Sequence, residues 1–117
     1  MRSWLMKSLA MVAALFMLAG GPFMSTASAG AKIALVLDVG GRGDLSFNDM
    51  GFKGTDEAQA NLGVEVVEIQ SNSAADYLPN MQNAARSGKF DLIVAVGFLL
   101  ADAMAEVADQ FPDQKFA

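Results

Sequence analysis

The residues best suited to chemistry lie in one glycine-rich segment, 38–48. It begins with Asp38, carries a second carboxylate at Asp44 and ends with Phe47 and Asn48. A carboxylate accepts hydrogen bonds from ligand N–H or O–H groups, and an asparagine side chain carries both donors and an acceptor. An aromatic ring can stack on a planar base. The segment therefore indicates binding of a small polar molecule; the alternative is a flexible turn before a capped helix, with Phe47 in the core.

A second, shorter segment with the same potential is Gly97 and Phe98. The glycine permits close approach of a ligand to the backbone, and the phenylalanine could form a second wall of a pocket. The alternative is a strand-to-helix turn with a core phenylalanine. We predict a ligand-binding set of Asp38, Phe47, Asn48, Gly97 and Phe98.

Catalysis and metal binding find little support in the composition. The chain has no His and no Cys, which removes the commonest metal ligand and the usual general base. Asp38 and Asp44 could do acid–base work or hold a divalent cation, but their spacing demands neither. The 38–48 segment lacks the G-x-G-x-x-G order of a dinucleotide site and the ending of a phosphate loop. We expect no enzyme activity, no catalytic residues, no metal and no cofactor.

The first 29 residues have the order of a secretory signal peptide. Arg2 and Lys7 precede an apolar run, and a small-x-small site for signal peptidase ends at Ala29. An apolar run of about 13 residues is shorter than the roughly 20 of a spanning helix, which favours cleavage near Ala29 over a retained anchor. Since the chain has no cysteine to acylate, we expect a periplasmic protein without a lipid anchor.

The remaining segment, 30–117, is acidic. It holds six Lys and Arg against thirteen Asp and Glu, a net charge near −7. Such a surface argues against nucleic acid and anionic membrane as partners. The last three residues resemble the start of a strand with no cap or tail after it, so we expect the natural protein to be longer.

Strands and helices alternate along this segment. Strands are predicted over 33–37, 64–69 and 92–96, and a fourth begins at 115. The first and third have no polar alternation, which is typical of strands buried on both faces. Short connections and right-handed crossovers predict an α/β fold, an open and mostly parallel sheet with helices on both faces. In such sheets ligands bind beyond the carboxyl ends of the strands, where the strand order reverses.

Three helices are predicted between the strands. The first begins at a capping box of Ser46 and Asp49 and ends at Gly63. The second covers 77–87 behind a cap at Asp76, and the third covers about 99–110. The apolar residues of the first helix repeat at helical spacing and are Met50, Gly54, Ala58 and Leu62.

Several stretches together resemble the basic membrane protein family, the purine-nucleoside-receptor-like substrate-binding proteins of ABC transporters. They are Lys-Ile-Ala-Leu-Val-Leu-Asp at 32–38, Asp-Leu-Ser-Phe-Asn at 44–48, Ala-Val-Gly-Phe at 95–98 and Phe-Pro-Asp-Gln-Lys-Phe at 111–116. The similarity covers nearly all of residues 32–117. Many members of this family are lipoproteins, from which this chain departs because it has no cysteine.

The resemblance implies a two-lobed type I periplasmic-binding fold that closes around a nucleoside, with 30–117 as its N-terminal lobe. It implies that Asp38 lines the site, that Phe47 stacks on the base, and that Asn48 hydrogen-bonds the base edge or fixes the loop. The implied partners are a nucleoside-like ligand and an ABC transporter permease at the inner membrane. An acidic site residue after the fourth strand, and the second lobe, would lie beyond Ala117.

Two other functions stay open at this point. The same lobe could serve a periplasmic sensor that docks on a membrane signalling protein. Alternatively, the chain could be a small exported α/β enzyme that uses Asp38 and Asp44.

Overall fold

The computed structural model describes residues 30–117, so the predicted signal peptide and its cleavage site near Ala29 lie outside the described residues. Within 30–117, no helix is long and apolar enough to cross a membrane. Short 3-10 turns at Ala74–Asp76 and Phe98–Leu100 lead into the second and third helices. The elements are β1 (Lys32–Leu37), α1 (Phe47–Leu62), β2 (Glu65–Gln70), α2 (Tyr77–Ser87), β3 (Leu92–Val96) and α3 (Ala101–Gln110).

The strands form one parallel sheet with β1 at its centre, in the order β2-β1-β3. Leu37, the last residue of β1, aligns with Gln70 of β2 and with Val96 of β3. Phe116 forms a parallel bridge with Ile93, so the last residues begin to extend the sheet beyond β3. The predicted parallel α/β fold is confirmed. The chain turns to one side of β1 and then crosses to the other, which puts the reversal of strand order between β1 and β3.

Helices cover both faces of the sheet, as predicted. On one face Ala34 and Val36 pack with α2 and α3, in a cluster that includes the buried Met81 and Val107. On the other face Leu35 and Leu37 pack against Phe52 of α1. This double coverage explains why residues 33–37 of β1 are all apolar, because each buried large aliphatic side chain contributes about 1.5–3 kcal/mol.

The inner face of α1 differs from the one that helical spacing predicted. Met50 and Leu62 are 64% and 74% exposed, so the face of Met50, Gly54, Ala58 and Leu62 is not the buried one. The buried residues of α1 are Asn48, Phe52 and Thr55.

Close approach of α1 to the sheet explains this difference. A Cβ at Gly51 would lie 2.8 Å from Cγ2 of Val96, so the helix touches β3 at a residue without a side chain. Phe52, the next residue, fills the space beside this contact and is 4% exposed. The helix is therefore oriented by one small and one large residue rather than by an apolar stripe.

The predicted caps of α1 and α2 are also wrong. Ser46 stands at the start of α1 but its side chain makes no capping hydrogen bond, and Asp76 makes none to α2. Asp76 instead accepts hydrogen bonds from the backbone N–H groups of Asn72 and Ser73, at 2.9 and 3.0 Å. The 3-10 turn before α2 moves the unpaired donors one turn earlier than the helical pattern indicates.

The contact between Gly51 and Val96 can be tested against a matched glycine on the same helix. Nothing lies within 4 Å of a Cβ placed on Gly54, so Gly54→Ala should stabilise the chain by about 1 kcal/mol through helix propensity. Gly51→Ala should be less stable than Gly54→Ala by about 1–3 kcal/mol, because the new methyl group must displace Val96. Urea unfolding followed by circular dichroism measures both, and equal stabilities would contradict the close contact.

Candidate ligand-binding site

The structure brings the five predicted site residues together at one edge of the sheet. Asp38 follows β1, Gly97 and Phe98 follow β3, and Phe47 and Asn48 begin α1. Oδ2 of Asp38 lies 3.2 Å from the position that a Cβ on Gly97 would occupy. The rings of Phe47 and Phe98 meet edge to face, with centroids 6.4 Å apart. The parallel pairing of β1 with β3 produces this meeting, since neighbouring parallel strands end at the same edge.

Both aromatic rings of the site lie on the surface. Phe47 is 57% exposed and Phe98 is 76% exposed, which removes the alternative that either is a core residue. Val39, Leu45 and Leu99, in the segments that follow β1 and β3, are also exposed. A group of apolar side chains this exposed is typical of a surface that another molecule or another part of the protein covers.

Asn48 is fully buried beneath this surface. Its Nδ2 donates to Oδ1 of Asp38 at 2.6 Å and to Oδ2 of Asp44 at 2.9 Å. Its Oδ1 is buried and has no hydrogen-bond partner among the described residues. Of the two roles that the family resemblance implies for Asn48, the geometry favours fixing the loop, while direct contact with a ligand stays a prediction.

Asp38 uses only one of its carboxylate oxygens in hydrogen bonds with the described residues. Its Oδ1 accepts hydrogen bonds from Gly40 N at 2.8 Å and from Asn48. Within residues 30–117, no hydrogen bond reaches Oδ2, which faces Gly97. A Cβ on Gly40 would lie 2.8 Å from Nδ2 of Asn48 and 3.1 Å from Oδ1 of Asp38, so this position requires glycine.

Asp44 caps α1 in place of Ser46. Its carboxylate accepts hydrogen bonds from the backbone N–H groups of Ser46 at 2.8 Å, Asn48 at 3.0 Å and Asp49 at 3.1 Å. The Asp49 carboxylate in turn accepts from the N–H groups of Gly43 and Leu45, at 2.7 and 3.0 Å. Two carboxylates thus satisfy five backbone donors of the loop and of the first turn of α1.

These hydrogen bonds change the acidity of Asp44. Partial burial acts to raise its pKa, but the N–H groups of Ser46, Asn48 and Asp49 and the Asn48 side chain together lower it more. The pKa of Asp44 therefore lies below its ordinary value, and the carboxyl stays ionised at neutral pH.

Gln70, at the end of β2, is a site-supporting residue that the sequence did not reveal. Its Nε2 donates to the backbone carbonyl of Asp38 at 2.6 Å and to that of Ser71 at 2.8 Å. Gly41 has φ of +58° and lies over the Gln70 amide, where a Cβ would come within 2.7 Å of Oε1. The rule that ligand sites follow strand ends indicated the loop after β2, but the contact depends on the alignment of Gln70 with Leu37.

Arg42 also fixes the position of the loop, through contacts with Glu68 of β2 and Phe52 of α1. Its guanidinium pairs with Oε1 of Glu68 at 2.5 Å and lies 3.6 Å from the centre of the Phe52 ring. The ion pair is exposed and contributes at most about 1 kcal/mol, so its main effect is on the position of the loop. Among residues 30–117, no three His, Cys, Asp or Glu residues form a group that could hold a metal ion.

Comparison with known proteins assigns the chain to a family. Residues 31–117 match the family model Bmp, described as ABC transporter substrate-binding protein PnrA-like. The chain belongs to the Bmp family.

Two Bmp relatives illustrate the range of similarity. The chain is 47% identical over 98 residues to an uncharacterized lipoprotein of Pyrococcus abyssi, covering 84% of this chain and 24% of that protein. It is 35% identical over 89 residues to the ABC transporter nucleoside-binding protein BmpA of Lactococcus lactis subsp. cremoris, covering 73% of this chain and 25% of that protein. The chain therefore spans about a quarter of the length of these curated relatives.

Solved structures show the same fold. An ABC transporter solute-binding protein from Aeropyrum pernix K1 aligns with a TM-score of 0.70 and 46% identity, over 74% of this chain and 23% of that one. A solute-binding protein of an ABC transporter system from Conexibacter woesei aligns with a TM-score of 0.63 and 27% identity, over 74% and 28% of the two chains. The described segment thus has the fold of ABC solute-binding proteins.

The lowered pKa of Asp44 predicts how stability responds to acid. A carboxyl whose pKa is lower in the folded state stabilises the fold above its unfolded pKa, about 3.9, and loses this contribution as the pH falls through the folded pKa. Asp44→Asn should therefore be less stable than the parent at neutral pH, and the difference should narrow below about pH 4. Urea unfolding at a series of pH values measures it.

The matched control for this variant is Asp109→Asn, which removes an exposed carboxyl on α3. It should leave the shape of the pH profile unchanged. A stability difference between Asp44→Asn and the parent that is constant from neutral to acid pH would show that the charge of Asp44 does not act as described.

Proposed function

We propose that this chain forms the N-terminal lobe of a solute-binding receptor for an ABC importer, with a purine nucleoside or a related small polar molecule as ligand. The observation that carries the proposal is that Oδ2 of Asp38, which no hydrogen bond reaches within residues 30–117, lies at the same sheet edge as two exposed aromatic rings, Phe47 and Phe98. Membership of the Bmp family supports the transport role. The name of the Lactococcus relative, a nucleoside-binding protein, supports the ligand class.

The geometry suits a planar ligand with hydrogen-bond donors at its edge. Because the planes of Phe47 and Phe98 are 86° apart, a flat base can stack on one ring but not on both. Stacking of a base on an aromatic ring contributes about 1–3 kcal/mol. A hydrogen bond from a ligand N–H to the Asp38 carboxylate adds about 1.5–3 kcal/mol, since the acceptor is charged.

These contacts account for weak binding only. Their sum is close to the free energy of about −4 kcal/mol that corresponds to a Kd near 1 mM. Tight binding needs a surface on the other side of the ligand, which we assign to a second lobe outside this chain. The chain spans about a quarter of its relatives' length, in keeping with this assignment.

We further propose that the protein is exported and cleaved near Ala29, and that it delivers its ligand to a permease on the outer side of the inner membrane. The order of charged, apolar and small residues in 1–29 supports export. The Pyrococcus relatives are called lipoproteins, whereas these 117 residues contain no cysteine. Release into the periplasm without a lipid anchor is therefore part of the proposal.

Nucleoside binding can be measured on the exported chain by NMR. Titration of the ¹⁵N-labelled protein with inosine or guanosine should shift the backbone amides of Asp38, Gly97 and Phe98, with a Kd on the order of 1 mM. Phe47→Ala should weaken binding about tenfold, because it removes the stacking surface. Leu62→Ala is the matched control, since Leu62 is an exposed apolar residue of the same helix.

Two results would contradict this proposal. Undiminished nucleoside binding by Phe47→Ala would remove the stacking role, and shifts with another solute class but none with nucleosides would remove the ligand assignment. Tight binding, with a Kd on the order of 1 μM, would contradict the need for a second lobe.

Export can be tested by fractionation of a Gram-negative host that expresses the whole chain. The intact mass of the periplasmic product should correspond to residues 30–117, with Gly30 at its N-terminus. Replacement of Ala27 and Ala29 by bulky residues should leave the uncleaved chain in the membrane fraction, because signal peptidase requires small residues there. A parent chain that stays uncleaved would show that 1–29 is a retained anchor.

A further inference from the structure

The loop between β1 and α1 has the composition of an anion site. Glycine-rich loops that lead into a helix bind phosphate in many α/β proteins, because the unpaired N–H groups of the first turn point at the ligand. Here Gly40, Gly41 and Gly43 precede α1, at the edge of the sheet that carries Asp38. By composition and position alone, a phosphorylated ligand would fit.

Five backbone donors around the start of α1 are already occupied. The carboxylate of Asp44 accepts hydrogen bonds from the N–H groups of Ser46, Asn48 and Asp49 at 2.8–3.1 Å. The carboxylate of Asp49 accepts hydrogen bonds from the N–H groups of Gly43 and Leu45 at 2.7 and 3.0 Å. Two carboxylates of the chain itself therefore hold the positions that phosphate oxygens would take.

The remaining groups at this edge also disfavour an anion. The cation of the loop, Arg42, is paired with Glu68. Oδ2 of Asp38 is a negatively charged acceptor that no hydrogen bond reaches within residues 30–117. An acceptor that lacks a donor suits a ligand N–H or O–H group or a water molecule, and repels a phosphate oxygen.

We propose that Asp44 and Asp49 determine specificity by occupying the N-terminus of α1, so that the site accepts uncharged ligands with hydrogen-bond donors and excludes phosphorylated ones. The inference rests on the proposed function for the position of the ligand at this edge. Asp44 is charged at neutral pH, and the hydrogen bonds that lower its pKa favour this charged form, which supports the exclusion.

The test uses inorganic phosphate as the probe and removes the internal carboxylate. In the parent, about 20 mM phosphate should shift no amide of residues 43–49 beyond the effect of chloride at equal ionic strength. In Asp44→Ala, phosphate should shift the amides of Ser46, Asn48 and Asp49. It should also raise Tm by about 4 °C, because it binds the folded state alone.

Two further variants keep the test decisive. If Asp44→Ala does not fold, Asp44→Asn removes the charge at nearly the same size, and the same amides should shift with phosphate, by less. Asp109→Asn removes an exposed charge on α3 and should behave as the parent. Phosphate shifts in the parent, or none in the folded Asp44 variant, would overturn the inference.

Comparison of a nucleoside with its monophosphate separates this inference from the proposed function. Equal binding of both by the parent would overturn the exclusion and leave nucleoside binding intact. A parent that binds neither, while Asp44→Ala gains phosphate binding, would overturn nucleoside binding and support the exclusion.

Discussion

One buried side chain amide organises the functional edge of this protein. Nδ2 of Asn48 lies between Oδ1 of Asp38 and Oδ2 of Asp44, and so joins the end of β1, the following loop and the start of α1. The donor is neutral and the acceptors are charged, so both hydrogen bonds are of the stronger, charge-assisted kind. Without the amide, two carboxylates would face each other in a partly buried space. The absence of a side chain at Gly40 follows from this contact, because a Cβ there would strike the amide nitrogen.

The sheet positions the other residues of the site relative to these hydrogen bonds. Because β1 is buried on both faces and aligned with both neighbours, the direction in which Asp38 leaves the sheet is fixed by the core rather than by the loop. Strand β2 supports the loop through Gln70, and β3 places Gly97 beside the carboxylate. The loop is thus attached to β1 and held by side chains of β2, although it contains three glycines. The glycines therefore do not leave the loop without fixed contacts, and the carboxylate of Asp38 is oriented by the protein itself.

The features that the sequence predicted correctly are those that follow from burial and topology. Apolar runs without alternation identified the parallel strands, and the end-of-strand rule placed Asp38 near Gly97. The features that it missed depend on tertiary contacts. Ser46 and Asp49 have the spacing of a capping box, yet the loop passes through Leu45 with φ of 53°, which turns Asp44 onto the helix N-terminus. The contact of Gly51 with Val96 determines the inner face of α1, and strand register determines the role of Gln70. Neither can be predicted from helical periodicity or residue type.

Under the proposed function, the hydrogen bonds that stabilise the loop also restrict what the site can recognise. The backbone N–H groups of 43–49 that donate to Asp44 or Asp49 are not available to a ligand. The group that remains at the edge with the exposed rings of Phe47 and Phe98 is an acceptor, Oδ2 of Asp38. A fold that elsewhere presents N–H groups to phosphate here presents a carboxylate oxygen instead. A ligand of the proposed kind supplies the donors and a flat apolar surface. On this proposal, selectivity for an uncharged planar molecule would follow from capping a helix with an internal carboxylate, and it would need no residue dedicated to rejecting other ligands.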